Sequence, residues 1–177
     1  MTKLAFEFLI LTAVRTTEAR KARWDEVDWQ AKTWTIPGND AATGRRMKKE
    51  RDHVVPLSTR CLEILEQAKN LSKGHELIFP DSGRVMFENR FLLTRDRLGY
   101  ARDKCTPHGF RSSFRDWAAE ETPFPSEVVE MALAHSIPNK TEAAYRRGQL
   151  LAKRFELMEA WATFACPAPA VDSIDGA

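Results

Sequence analysis

Leu11-Thr12-Ala13-Val14-Arg15-Thr16-Thr17-Glu18-Ala19-Arg20 closes one helix and opens another. Upstream, Leu4, Phe8 and Leu11 recur at helical spacing, which predicts a largely buried helix over residues 3–13. Thr16-Thr17-Glu18 supplies a hydroxyl cap and a first-turn acid, the start signal of a second helix running to about Arg23. Arg15 therefore lies at the break between two helices, with Glu18 close enough to steady its guanidinium. From Trp24 the pattern changes. Trp29, Trp34 and Ile36 are strand formers that end at Pro37-Gly38, and His53-Val54-Val55-Pro56-Leu57 reads as a partner strand. Residues 24–57 thus form a small antiparallel sheet joined by a long polar connection.

Downstream, Ser58 caps a helix carrying Leu62, Leu65 and Ala68, and 77–83 reads as an extended segment and a turn. Further helices are expected at about 87–100, 107–121, 126–133, 139–147 and 149–164, punctuated by Pro123, Pro125 and Pro138. The last of these has a wide apolar surface, from Leu150 and Leu151 to Trp161 and Phe164, which reads as internal core. A neighbouring protomer is the other surface it would fit. The fold class is α+β, mainly α-helical, with a small antiparallel three-stranded sheet near the N-terminal third. Residues 1–165 read as one domain and 166–177, Pro/Ala-rich with no basic residue, as a disordered tail.

The chain of 177 residues is long enough for one real core. With 27 basic and 25 acidic residues, net charge announces no nucleic-acid partner, so any basic surface must come from local clusters. Arg45, Arg46, Lys48, Lys49 and Arg51 form one, and Arg95, Arg97, Arg102 and Lys104 another; the ordinary reading of either is a solvated face. Three cysteines without CxxC spacing argue against a disulfide framework or a zinc site, and for a reducing cytosol. The apolar opening, interrupted by Glu7, is too short to span a bilayer.

Six dispersed polar residues make one coherent chemistry: Arg15, Lys48, His108, Arg111, His135 and Tyr145. In-line attack on a phosphodiester needs charge on the non-bridging oxygens, an activated nucleophile and a proton for the leaving oxygen. Arginine suits the first task, because its planar fork donates two parallel hydrogen bonds and stays charged. His108 and Arg111 open a helix at i, i+3 spacing, sharing one face beside the positive end of its dipole. A phenol titrates near ~10, so Tyr145 as a nucleophile needs a base or a positive field. Singly, each residue has a plain explanation, a surface ion pair or a packed histidine; their joint occurrence points to strand cleavage without metal or ATP.

The segment Leu11–Arg20, continued by Arg23-Trp24-Asp25-Glu26-Val27-Asp28, resembles the first arginine box of the tyrosine recombinases, or phage integrases. His108-Gly109-Phe110-Arg111 resembles their HxxR box. Leu133-Ala134-His135, with Tyr145 ten residues on, resembles their third histidine and nucleophile. Met47-Lys48 ahead of Val55-Pro56-Leu57-Ser58 resembles the hairpin lysine, although Lys49 beside it is open to the same role. Ala143-Ala144-Tyr145 and Met158-Glu159-Ala160-Trp161 are similar to the genomic-island branch. Ala13 stands where glycine is commoner.

The resemblance implies a helical catalytic domain in which Arg15, Arg111 and His135 hold the scissile phosphate. His108 would assist proton transfer, Lys48 protonate the 5′-oxygen, and Tyr145 attack to leave a 3′-phosphotyrosyl enzyme. Glu18 supports Arg15, and Arg45, Arg46, Lys49 and Arg51 are DNA contacts. Removing Arg15 or Arg111 is expected to leave the fold intact. No cofactor or metal is expected. Partners would be double-stranded attachment sites, further copies in a tetramer at full length, and bending or excision factors; the isolated domain would be a monomer. The family's N-terminal arm-binding and core-binding domains have no counterpart in the sequence, which leaves two other readings: a catalytically incompetent DNA-binding fragment, or a type IB topoisomerase-like nicking-closing enzyme. A bacterial cytoplasmic, nucleoid-associated location follows from the resemblance.

Overall fold

The computed structural model describes residues 1–40, 45–46, 52–101, 103–135 and 147–167. Helix α1 (Thr2–Thr12) is apolar on nearly every face, so it can only be a central helix, and Ala5, Phe8 and Leu11 are fully buried. α2 (Thr16–Arg20) is one short turn pair, followed by a 3-10 turn at Trp24–Glu26. Strands β1 (Val27–Asp28), β2 (Thr33–Ile36) and β5 (His53–Pro56) form an antiparallel sheet in the order β1-β2-β5. β3 (Asn39–Asp40) and β4 (Arg45–Arg46) make a separate two-stranded ribbon. Then come α3 (Thr59–Ser72), α4 (Arg90–Arg97), α5 (Gly109–Glu121), α6 (Ser126–Ala132) and α7 (Arg147–Ala165).

Two apolar clusters share α1. The first joins α1 to the sheet, α3 and α4, with the Phe8 ring 5.3 Å from Trp34 and 5.2 Å from Phe79. The second unites α5, α6 and α7 around Phe114, Trp117, Leu157 and Trp161, and takes in Ala13 at the end of α1. Trp161 Nε1 donates to the Ile10 carbonyl at 2.9 Å, stitching α7 to α1. The wide apolar surface of the last helix is therefore internal, as expected, with Phe164 left exposed at its end.

The expected elements shift in three places. α2 stops at Arg20 because Arg23 bridges to Leu77 and the Trp24 amide donates to the Glu76 carbonyl, which draws the chain out of helical geometry. α4 is shorter than 87–100, and Gly99 at φ +79° lies just beyond its end. Arg95 is not on a solvated face: it is buried, donating to Asp96 and to the Cys105 carbonyl. The helix expected at 139–147 and most of the tail lie outside the described residues, although α7 begins at Arg147.

Both helices that lead into the candidate site end in left-handed residues that are not glycine. Ala13 caps α1 at φ +50°, and Ala134 follows α6 at φ +54°. After α6 the His135 amide donates to the Glu130 carbonyl at 2.8 Å and the Ala134 amide to Met131 at 3.1 Å, a Schellman closure. A left-handed alanine costs about 1–2 kcal/mol over glycine, part of which glycine's larger chain entropy takes back. Ala134→Gly is therefore expected to stabilise by about 0.5–1 kcal/mol, read as a raised urea midpoint. Ala13→Gly should be close to neutral, because it also removes a methyl group buried in the second cluster. A lowered midpoint for Ala134→Gly would refute the strain account.

Candidate active site

The site lies where the C-terminal end of α1, the start of α5, the end of α6 and strand β5 meet. Arg15 occupies the extended residue between α1 and α2, at φ −78° and ψ 152°. Glu18 reaches back to it with both oxygens: Oε2 accepts the Arg15 amide at 2.6 Å and Oε1 the guanidinium at 2.9 Å. One carboxylate thus caps α2 and fixes the arginine, as the i, i+3 spacing implied. The Arg15 side chain is about one-third exposed and open to a ligand.

Arg111 is far more enclosed, at 8% exposure. One terminal nitrogen, Nη1, donates to the Ala13 carbonyl, and the other, Nη2, to the Leu133 carbonyl at 2.7 Å. Both acceptors are helix-end carbonyls released by the left-handed turns. A guanidinium carries five N–H donors; these two bonds and the contact from Nη2 to His135 Nε2 leave two, the Nε–H and one on Nη1, for a ligand. Burial, with the nearby Arg15 charge, pulls its pKa down to about 10, which leaves it a full cation near neutrality. Arg111 is thus a structural tie between α1 and α6 as well as the candidate phosphate ligand of the sequence reading. These two ties make a loss of stability the expected result of removing it, where the sequence alone predicted an intact fold.

His135 follows the Schellman turn directly. Its Nδ1 lies 2.5 Å from Glu130 Oε2, and its Nε2 lies 3.5 Å from Arg111 Nη2. At that distance from a carboxylate, Nδ1 carries the hydrogen and Nε2 points to the arginine. Glu130 also pairs with Arg115 through Oε1 at 2.8 Å. Burial works against the Glu130 carboxylate, but the bond from His135 and the Arg115 charge outweigh it and hold the group below its ordinary range.

His108 stands exposed at the N-cap of α5, one turn before Arg111, with no capping bond from its side chain. Thr106 caps instead, its Oγ1 accepting the Gly109 amide at 2.9 Å. A Cβ on Gly109 would sit 2.8 Å from that oxygen, so the glycine between His108 and Phe110 keeps this cap possible. Lys48, Lys49, Arg51 and Tyr145 lie outside the described residues. Arg45 and Arg46 lie on β4, opposite Asp40 and Asn39. By sequence, the lysine pair falls between β4 and β5, and Tyr145 between His135 and α7.

A model of the phage integrase family matches residues 1–150, a span containing all six candidate residues. The chain belongs to the phage integrase family. It is 40% identical to prophage integrase IntA of Escherichia coli strain K12 over 164 residues, covering 91% of this chain and 38% of that protein. It is 35% identical to the integrase of Enterobacteria phage P4 over 175 residues, covering 93% of this chain and 40% of that protein. This integrase-family chain thus spans about two-fifths of the length of those relatives. Its fold matches the XerA recombinase with a TM-score of 0.57 at 18% identity, over 84% of this chain and 60% of the other. It also matches the XerH recombinase in a post-cleavage complex with a palindromic difH substrate, with a TM-score of 0.56 at 17% identity, over 86% of this chain and 44% of the other.

Three residues at or beside this candidate site escaped the sequence reading: Glu130, His53 and Arg154. Glu130 is five residues from His135, a spacing that becomes a contact only through the left-handed turn at Ala134. His53 looked like the first residue of a strand, and it is buried with Nε2 3.2 Å from the Ala132 carbonyl. Arg154 left a legible trace. It falls between Leu150 and Met158 at fourth-residue spacing, a cation inside the apolar stripe of α7.

Proposed function

We propose that this chain cleaves and rejoins DNA through a covalent 3′-phosphotyrosyl intermediate, as the strand-transfer domain of a site-specific recombinase that integrates or excises a mobile element. The observation that carries this reading is the convergence of Arg111, with two N–H donors to spare, on His135 and the Arg15 turn. Tyr145 Oη attacks phosphorus, forming the P–O bond to the enzyme as the bond to the 5′-oxygen breaks. His108 assists removal of the phenol proton, and Lys48, or Lys49 beside it, delivers a proton to the departing 5′-oxygen. Arg15 and Arg111 stabilise the non-bridging charge that grows in the transition state. His135 donates from Nε2 once that nitrogen is protonated, and Glu130 steadies the resulting imidazolium.

The partners on this reading are double-stranded attachment sites, and the backbone grip makes binding strongly salt-dependent. Full-length protein would act as a homotetramer with bending or excision factors at the cytoplasmic nucleoid, and this domain alone as a monomer. Among the described residues no helix is long and apolar enough to cross a membrane.

The deciding experiment is covalent trapping on nicked duplexes taken from the ends of the element, in EDTA, with Tyr145→Phe as control. Wild type is expected to give a shifted band on a denaturing gel that the variant lacks entirely. A band that needs a divalent ion would overturn the metal-free mechanism. DNA retained without any adduct would favour the binding-fragment reading, which the two-fifths coverage of the relatives keeps open. Relaxation of any supercoiled plasmid without paired sites would favour a nicking-closing enzyme.

A further inference from the structure

Strand β5 is an end strand of its sheet, so one of its edges has no strand partner among the described residues. The Leu57 amide donates to the Lys32 carbonyl at 2.9 Å, which sets the alternation of the antiparallel pair. Val55 and His53 turn their backbone groups toward β2, while Pro56 and Val54 turn theirs outward. Pro56 has no N–H to leave unpaired, so it suits an outward position. The Val54 carbonyl does need a partner, and Arg154 of α7 donates to it through Nη2.

Arg154 is an unusual choice for that task. It is 6% exposed, its Nε has no hydrogen-bond partner among the described residues, and burial lowers its pKa to about 10. A buried cation with an orphaned donor is a poor source of stability; an apolar side chain of equal length packs as well without the desolvation cost. His53, the neighbour of Val54, makes the matching contact on the other side. Its Nε2 donates to the carbonyl of Ala132, the residue before Leu133, whose carbonyl takes Arg111. Two adjacent residues of β5 are thus held from two directions, one by α7 and one by the turn that carries the phosphate grip.

We propose that His53 and Arg154 form a polar latch that sets β5, the strand that follows Lys48 and Lys49 in sequence, in register with the phosphate-gripping turn. They are positioning residues: neither touches the reacting atoms. The latch rests on the strand-transfer reading with Lys48 or Lys49 as the proton donor. The phosphate grip has its own supports, since Arg111 is tied to Ala13 and Leu133, Arg15 to Glu18, and His135 to Glu130. Loosening the latch therefore disturbs delivery of the proton to the 5′-oxygen before it disturbs the grip.

A substrate with a bridging 5′-sulfur at the scissile phosphate separates these effects. A thiol titrates near ~8.5, so the sulfur leaves as thiolate without help from a general acid. Arg154→Met is expected to shift its urea midpoint little, since the desolvation cost it removes offsets the Val54 carbonyl it strands, and to bind nicked duplex as wild type does. It should form adduct about tenfold or more slowly on the 5′-oxygen substrate, and at close to the wild-type rate on the 5′-sulfur one. His53→Leu should show the same thiolate-rescued loss independently, and His53→Gln, which keeps a donor at the same reach, should recover most of the rate. Equal slowing on both substrates, or wild-type rates on both, would overturn the latch. Wild type that forms no adduct with either substrate would instead sink the strand-transfer reading, and the latch with it.

Discussion

Replacing Arg111 by alanine is expected to damage the fold and the chemistry together, whereas replacing Arg15 damages the chemistry alone. The two arginines look equivalent as phosphate ligands, but their surroundings differ. Arg111 is buried and supplies the bonds to the Ala13 and Leu133 carbonyls. Removing it strands both carbonyls in the interior and leaves a cavity between α1 and α6, at a cost of about 2–4 kcal/mol. Arg15 is about one-third exposed, and Glu18 keeps its bond from the residue-15 amide when the guanidinium is removed, so the loss costs about 1 kcal/mol. Each substitution should slow adduct formation by about 100-fold or more, as removal of one donor to a developing charge does.

Urea unfolding read beside trapping kinetics tests the distinction. Arg111→Lys sharpens it: a lysine keeps the charge, but it cannot fork to two carbonyls and a phosphate at once, so stability and rate should both stay low. If Arg111→Ala and Arg15→Ala unfold at the same midpoint, the structural half of the Arg111 role is wrong.

Local signals carried much of this fold. α1, α3, α5 and α7 follow from apolar spacing, and β2 and β5 from the strand formers Trp34, Ile36, Val54 and Val55. The β3–β4 ribbon did not show, because Asn39, Asp40 and two arginines are poor strand formers whose pairing depends on the turn between them. α2 ran short of Arg23 because Glu76 and Leu77, distant in sequence, compete for the chain there. At the site, the Arg15–Glu18 pair was legible from spacing, and the other candidate residues came from the family's order of residues. The tying of Arg111 to two helix ends was not legible. It depends on left-handed turns at Ala13 and Ala134, where the sequence shows alanine and not the glycine that flags such a turn. His53 and Arg154 were hidden for a related reason: their chemistry comes from burial, and burial is a property of the assembled core.

The buried His53 also makes the fold sensitive to mild acid. Burial is the largest cause of its shift, and the charges of Arg154, Arg111 and Arg15 add to it, so its pKa falls from the ordinary 6.5 to about 3. Between those values the unfolded chain binds a proton at this position and the folded chain does not. Stability therefore rises with pH across this window; it is fully present above about 6.5 and is lost as pH falls toward 3. The slope is roughly 1.4 kcal/mol per pH unit, which gives a loss of about 2 kcal/mol between pH 7 and pH 5. Asp81, Glu76 and Glu130, held below their ordinary range, lose their contributions only at lower pH, where unfolded carboxylates begin to protonate. The interval from 7 to 5 thus isolates His53 from them. His53→Gln keeps a donor for the Ala132 carbonyl and cannot take up the proton, so its urea midpoint should stay level where that of wild type falls. A wild-type midpoint that is also level would mean that water reaches the imidazole and that the ring is not sealed between three guanidiniums.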